Sequence, residues 1–405
     1  MNHLGNRMQN KVSAAEGIRG IACFMVVLSH LSLSFFPYLH LFDHSRLAPY
    51  PLELSIHHSP FAFFYSGTAA VYIFFVLSGY VLSYAIMSGK DPVQKIKSMT
   101  IKRYPRLMLP ALGSCILLWL AFTYMQPNGA HLSEWIDVMG DQIHTPFWDA
   151  WFDGSIRVFW LGYSQYNWVL WTMKIELVGS LLVFALLYAK LKQLNLYLIS
   201  PLALLFSYIA IHLVPFDATA FQGLKLLDIV EQNLEMISFL IGMLIFFKFR
   251  LLSNKVSCAL LLLGLYCAGV HDNSASYQWI NQWLGGRTYN LLNFLSGPLI
   301  VASILMNKSL ASIFSSKLPV YLGKISFAAY LNHLMIIYVV GIPFFNLLHN
   351  LQVPYAFAAL LSCAVVITLT VLFSELYYRL VDQSAMKFSG VIADRLLKKN
   401  LQLKK

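Results

Sequence analysis

An all-α, polytopic transmembrane bundle of about ten helices, with both termini cytoplasmic, is the fold class this sequence predicts, and three observations predict it. Apolar residues make up 58% of the 405 residues and charged residues only 12%, about half the roughly 25% that a water-solvated domain carries. Apolar runs close to the ~20 residues that cross a ~30 Å hydrocarbon core recur from end to end. The cations fall between those runs in alternate gaps, as the positive-inside bias requires.

Taken in order, the runs place spans at about 17–38, 65–88, 105–126, 168–189, 194–214, 233–247, 256–270, 289–306, 322–343 and 354–378. Spans six and seven are short and are flanked by Lys248, Arg250 and Lys255, whose stems can snorkel to the interface. Ten crossings return the chain to the side on which it began. With the N-terminus inside, all but five of the 29 cations lie in inner segments; the exceptions are Arg46, Arg157, Lys225 and Arg287 in outer loops and Lys174 within a span. A wrong number of crossings would scramble this alternation. The organisation read from it is a cytoplasmic tail over 1–16, a membrane domain over 17–378 and a basic cytoplasmic tail over 379–405.

The connecting segments add detail. The run after residue 16 is too long for a signal-peptide core, so the first helix is expected to stay in place. The long outer loop, about 127–167, carries Glu134, Asp137, Asp141, Asp149 and Asp153 with several tryptophans. Pro127, Gly129, Pro146 and Gly154 punctuate it into short interfacial segments. The net charge of +11 sits in these connections with no solvated basic face, which excludes a nucleic-acid partner. Cys23, Cys115, Cys258, Cys267 and Cys363 all lie in apolar runs without a CxxC pair and read as small buried residues. His57, His58, His131 and His144 lack ligand spacing, so no metal is expected.

Ionisable residues inside spans are costly and mark function. Arg19 and His30 are eleven residues apart, three turns with about 20° of drift, hence on one face of the first helix and roughly 16 Å apart. A membrane-embedded imidazole can act as general base or be a structural group bonded to a neighbouring helix. Arg103 and Arg106, in the inner loop that opens span three, can grip phosphates or be plain inner-side charge. Glu176, a few residues below the outer end of span four, is at a depth comparable to His30 and can orient its imidazole. Lys174 faces elsewhere and is expected to snorkel outward. Ser326, Tyr330 and His333, at i, i+4, i+7 spacing, form a polar stripe facing the bundle interior. Glu375 and Arg379 form a structural i, i+4 pair near the inner surface, and Gly67, Gly79, Gly323 and Gly341 permit close helix packing.

At these residues the chain resembles the acyltransferase family 3 membrane proteins, which O-acylate lipopolysaccharide, exopolysaccharide and related glycans. Five stretches match in order. Glu16-Gly17-Ile18-Arg19-Gly20 through His30 resembles the opening arginine–histidine motif, and Phe74-Phe75-Val76-Leu77-Ser78-Gly79-Tyr80 the second-helix signature. Arg103 and Arg106 match a pair of arginines, Trp171-Thr172-Met173-Lys174-Ile175-Glu176 a tryptophan-to-glutamate segment, and Tyr321 to Ser326 with Tyr330 and His333 the ninth-helix motif. Departures are Glu16 in place of aspartate, Lys174, and Asp382-Gln383-Ser384 where Glu-x-Pro is usual. No esterase-like domain is expected to follow.

The resemblance implies a membrane O-acyltransferase of a bacterial inner (plasma) membrane. Cytosolic acetyl-coenzyme A, or another acyl-coenzyme A, would be the donor substrate, with no permanently bound cofactor. The acceptor would be a sugar hydroxyl of a cell-surface or exported glycan or glycolipid. His30, Arg19 and Glu176 are the expected catalytic residues, Arg103 and Arg106 hold the donor, and Trp171, Ser326, Tyr330 and His333 complete the pocket. Membrane lipid and envelope polysaccharide-synthesis proteins are the further partners implied. A transporter or acyl-group exporter, or a structural subunit of an envelope complex, is the alternative that a membrane-only architecture leaves open.

Overall fold

The computed structural model describes residues 2–41, 47–137, 145–212, 231, 233–248 and 250–402, with side chains over 12–398 of these. Arg46, Asp141, His144 and Lys225 lie outside the described residues. Every regular element described is helical. In order these are α1 (Asn2–Phe35), α2 (Pro51–His57), α3 (Gly67–Met87), α4 (Pro92–Tyr124), α5 (Phe147–Phe152), α6 (Trp171–Leu191), α7 (Leu196–His212) and α8 (Leu234–Phe247). They continue with α9 (Asn254–Ala268), α10 (Gln278–Leu284), α11 (Thr288–Leu305), α12 (Lys308–Phe314), α13 (Lys317–Ile336), α14 (Ile342–Asn350), α15 (Tyr355–Tyr377) and α16 (Gln383–Gln402).

Among the described residues seven helical stretches are long and apolar enough to cross a membrane, and α7, α8 and α9 are shorter apolar helices. These three occupy the places of predicted spans five, six and seven. The protein is a multi-pass membrane protein.

Polar caps set several starts, since a side-chain oxygen can take one of the first-turn N–H groups. Asp91 accepts from the Gln94 N–H at 3.0 Å, with Pro92 at the first helical position, and Asn307 accepts from the Leu310 N–H at 2.9 Å. The Asp91 cap explains one departure from the sequence reading: α4 begins before Lys102-Arg103-Tyr104-Pro105-Arg106, so the two arginines stand on a helix instead of a loop. Two further departures are at the ends. Helix α1 reaches back to Asn2, and the basic tail continues through a π turn (Tyr378–Asp382) into α16. Ala385, Ser389 and Ala393 are buried on one face of α16, which packs against α4; one small-residue face suffices to dock a helix whose mean composition is polar.

Two close crossings position the site. Helices α1 and α13 pack most extensively, and there a Cβ on Gly20 would sit 2.5 Å from the Gly323 nitrogen, while one on Gly323 would strike the Glu16 carbonyl. Small residues at such a crossing let two backbones approach directly. Helices α3 and α8 cross likewise at Gly79 and Gly242. One apolar core spans α1, α3, α4, α11, α13 and α15, and a second, around Phe75, Phe184 and Phe239, joins α3, α6 and α8.

Candidate active site

The α1–α13 crossing brings together two imidazoles that are 303 positions apart in sequence. His30 Nδ1 lies 2.8 Å from His333 Nε2. His333 Nδ1 is 3.0 Å from the Ala329 carbonyl; a carbonyl only accepts, so Nδ1 carries the proton and the neutral ring's Nε2 is an acceptor. His30 must then donate from Nδ1, which leaves its Nε2 with a free lone pair. The chain of bonds fixes the tautomer of His30 in the form a general base needs. His30 is half-buried and stacks on Trp135 at 5.5 Å between ring centroids; Trp168 meets Trp135 edge-on at 5.8 Å.

Below the pair lies a cavity of about 550 Å³, lined by residues of α1, α3, α4, α6, α13 and the α15–α16 turn. Arg19, Arg103, Arg106 and Lys324 contribute four cations to its walls, against Glu16, Glu176 and Asp382. Arg19 donates to Glu16 at 3.0 Å. Arg103 is ion-paired with Glu176, which also accepts from Ser78 Oγ at 2.8 Å. Lys324 reaches Glu375 at 3.3 Å, beside the expected Arg379–Glu375 pair at 2.6 Å. Thr172, Ser326, Tyr330 and Phe74 line the same cavity. Its walls combine four cations with the apolar side chains of Val71, Phe74, Phe75, Leu107 and Phe327, which suits a ligand with an anionic end and an apolar part.

Most residues singled out in the sequence therefore converge, with two rearrangements. Glu176 was expected to orient His30; its carboxylate instead faces Arg103 and Ser78 across the cavity, and His333 is the group bonded to His30. Trp171, expected in the pocket, is 41% exposed and absent from the cavity lining, whereas Thr172, one residue on, faces inward. The 100° step between neighbours on a helix accounts for the exchange. Lys174 turns away from Glu176 as expected but does not snorkel outward: it is buried, its Nζ donating to the Ile211 carbonyl at 2.8 Å near the end of α7, where a cation is favoured by the helix dipole. Residues that the sequence reading passed over are Trp135, Trp168, Ser78, Thr172 and Asp382. Ser78 and Thr172 lie inside matched motifs; Trp135 carried no signal beyond a tryptophan-rich loop.

A separate histidine cluster lies in the loops beside the outer end of α1. His40 and His271 ring centroids are 5.1 Å apart, and His57 and His271 6.0 Å. His57 Nδ1 donates to the Leu39 carbonyl at 2.9 Å, and His271 Nδ1 to the Gly269 carbonyl at 3.2 Å. Burial pushes the His271 imidazole down to about 4 and lowers that of His57. The acidic loop behaves differently: buried Asp153 accepts from Arg157 at 2.8 Å, and Arg157 also reaches Asp149 at 3.0 Å. That network ties the segment after α5 together, away from the imidazole pair.

Comparison with known proteins bears on this arrangement. The acyltransferase domain model of family 3 matches residues 12–375, which takes in both imidazoles, the four cavity cations, Phe74 and Tyr330. An O-acetyltransferase of Phomopsis amygdali, PaAT-1, is 25% identical over 211 residues, covering 45% of this chain and 41% of that protein. The chain thus spans less than half the length of this curated relative. No solved structure matches.

Proposed function

Because the chain belongs to the acyltransferase family 3, we propose that it is a membrane O-acyltransferase, most simply an O-acetyltransferase, moving an acyl group from cytosolic acyl-coenzyme A to a sugar hydroxyl of a cell-surface or exported glycan. The observation that carries this reading is the tautomer of His30, whose Nδ1–H is held by His333 so that Nε2 stays unprotonated, on a helix that also lines a cationic cavity. Arg19, Arg103, Arg106 and Lys324 suit the nucleotide phosphates of the donor. Its flexible pantetheine arm suits the apolar side chains of Val71, Phe74, Leu107 and Phe327 on the same cavity walls. Basic inner segments support a bacterial inner membrane with the cavity open to the cytosol.

In this reading His30 Nε2 takes the proton of the acceptor hydroxyl as its oxygen bonds to the thioester carbonyl carbon. Collapse of the tetrahedral intermediate breaks the C–S bond, and the thiolate takes the proton from Nε2. The transient imidazolium keeps its Nδ1–H on His333 Nε2, so its orientation survives both transfers. Trp135 and Trp168 offer aromatic faces beside the base for the acceptor ring. Purified protein with labelled acetyl-coenzyme A and a panel of glycans tests the proposal. Acylated glycan should form with the native chain, and transfer should fall by ~10²–10⁴ in His30→Ala; undiminished transfer in that variant would remove the base. Flux of acyl groups without any acylated product would favour an exporter.

A further inference from the structure

The cavity and the base are both present, yet the described lining of the cavity includes neither His30 nor His333. Tyr330 lines the cavity and lies next to His333. Its ring lies 6.2 Å from the His333 ring between centroids and meets Phe74 edge-on at 6.1 Å. Its hydroxyl donates to the Val169 carbonyl at 2.7 Å and lies 3.0 Å from Thr172 Oγ1. Tyr330 belongs to α13, whereas Val169 and Thr172 belong to the turn and first residues of α6. The phenol therefore bolts one helix to another across the upper end of the cavity. On α13 it precedes His333 by less than one turn, so the blocking ring and the group that holds the base move on one rigid element.

We propose that Tyr330 is a gate between the cavity and His30, closed in this structure, and that it opens by releasing Val169 and Thr172 and swinging its ring about χ1. This rests on the reading of His30 as the reacting base. A thioester carbon must come within ~3–3.5 Å of the attacking atom held by His30 Nε2, and the phenol ring, on the cavity wall beside His333, is placed to bar that approach. Both hydroxyl partners are polar groups of α6 that stay where they are, so closing again restores the same two bonds. The closed state keeps the cavity and the far side of the base from forming one continuous aqueous path. It also holds the thioester away from water until the ring moves, which limits wasteful hydrolysis. Tyr330 is in this sense a positioning residue, acting through access and leaving the base itself unchanged.

Thiol accessibility tests the gate independently of catalysis. In an H30C background, sealed vesicles of each orientation would be treated with a small membrane-impermeant thiosulfonate, and disulfide formation at position 30 read by peptide mass spectrometry. The peptide readout separates position 30 from the native cysteines, of which Cys258 is exposed. From the face onto which the arginine cavity opens, labelling should be slow with Tyr330. It should rise at least about twofold in Y330F, which keeps the ring and loses both hydroxyl bonds, and further in Y330A. From the opposite face neither substitution should change the rate. Equal rates in all three chains, or a rise from both faces alike, would overturn the gate. Coenzyme A should slow labelling in Y330A from the cavity face. A Y330A rise that coenzyme A leaves untouched supports the gate while removing coenzyme A as the donor, so the two ideas fail separately.

Discussion

Replacing His333 asks whether a partner's hydrogen-bonding sense matters more than its presence. His333→Gln offers a carbonyl oxygen that can accept from His30 Nδ1, whereas His333→Leu fills similar space and accepts nothing. With leucine, nothing at position 333 holds the His30 proton on Nδ1, and the Nε2 lone pair is no longer guaranteed. Transfer by His333→Leu should fall by ~10²–10⁴, the scale on which a mis-set imidazole loses general-base catalysis, and His333→Gln should retain at least ten times more. Equal kcat in the two variants would leave His333 a packing residue. The carboxylate behaves differently. Glu176→Ala strands the largely buried Arg103 guanidinium, at a cost on the order of 3 kcal/mol, so the melting temperature should drop and donor KM should rise more than kcat falls. Single residues were legible in the sequence as chemical types inside spans. Their partners were not, because the 303-residue separation of His30 and His333 leaves no local spacing from which a contact can be read. Glu176 pairs with Arg103, a residue read as inner-loop charge, so its depth as well as its azimuth around the bundle was misread.

Between helices, the decisive contact is the backbone approach of α1 and α13 at Gly20 and Gly323. Gly323→Leu forces these helices apart by a side chain's width, with an overpacking cost of about 1–3 kcal/mol, and should open the 2.8 Å His30–His333 bond although neither histidine is touched. Transfer should therefore drop by at least tenfold while Gly390→Leu, with open space around its Cβ position, leaves it unchanged. The outer loops make a second prediction at this scale. Because His271 is held at about 4, and His57 lowered, below the usual 6.5, the unfolded chain binds protons more readily than the folded one between those values. Their contribution to stability is present above about 6.5 and is lost as pH falls through about 4. Thermal unfolding followed by tryptophan fluorescence should show this slope, and His271→Asn should flatten it. The apolar cores of the long helices were readable because hydropathy alone sets them. Their ends were not, since α16 docks through three small residues, and α4 begins, after its Asp91 cap, thirteen residues before the predicted span.

Across the whole molecule, the disposition of the termini depends on three helices that are short for their task. At 1.5 Å per residue, the 17, 14 and 15 residues of α7, α8 and α9 rise only about 21–26 Å, against a hydrocarbon core near 30 Å. Seven long stretches alone would put the two ends on opposite faces; three further crossings put them on the same one. The cation pattern supports ten: Lys190 and Lys192 precede α7 while Lys248, Arg250 and Lys255 follow α8, on one side when α7 and α8 both cross, and α9 must then cross for Lys308 and Lys317, after α11, to share that side. A crossing that short needs local thinning of the bilayer or snorkelling by those flanking lysines. Single cysteines at Asn2 and Gln402, in a chain whose native thiols are replaced, should react with an impermeant maleimide from the same face of sealed vesicles. A third at Arg287, between α10 and α11, should react from the other. The shortfall also makes activity depend on lipid. Reconstitution in lipids with acyl chains shorter by about four carbons should preserve or raise transfer, and thicker bilayers should depress it, because stretching α8 away from α3 pulls at the Gly79–Gly242 crossing that packs beside the Ser78–Glu176 wall of the cavity. Termini found on opposite faces would mean that an odd number of these short helices turns back within the membrane, and the thickness dependence would then have no lever to act through.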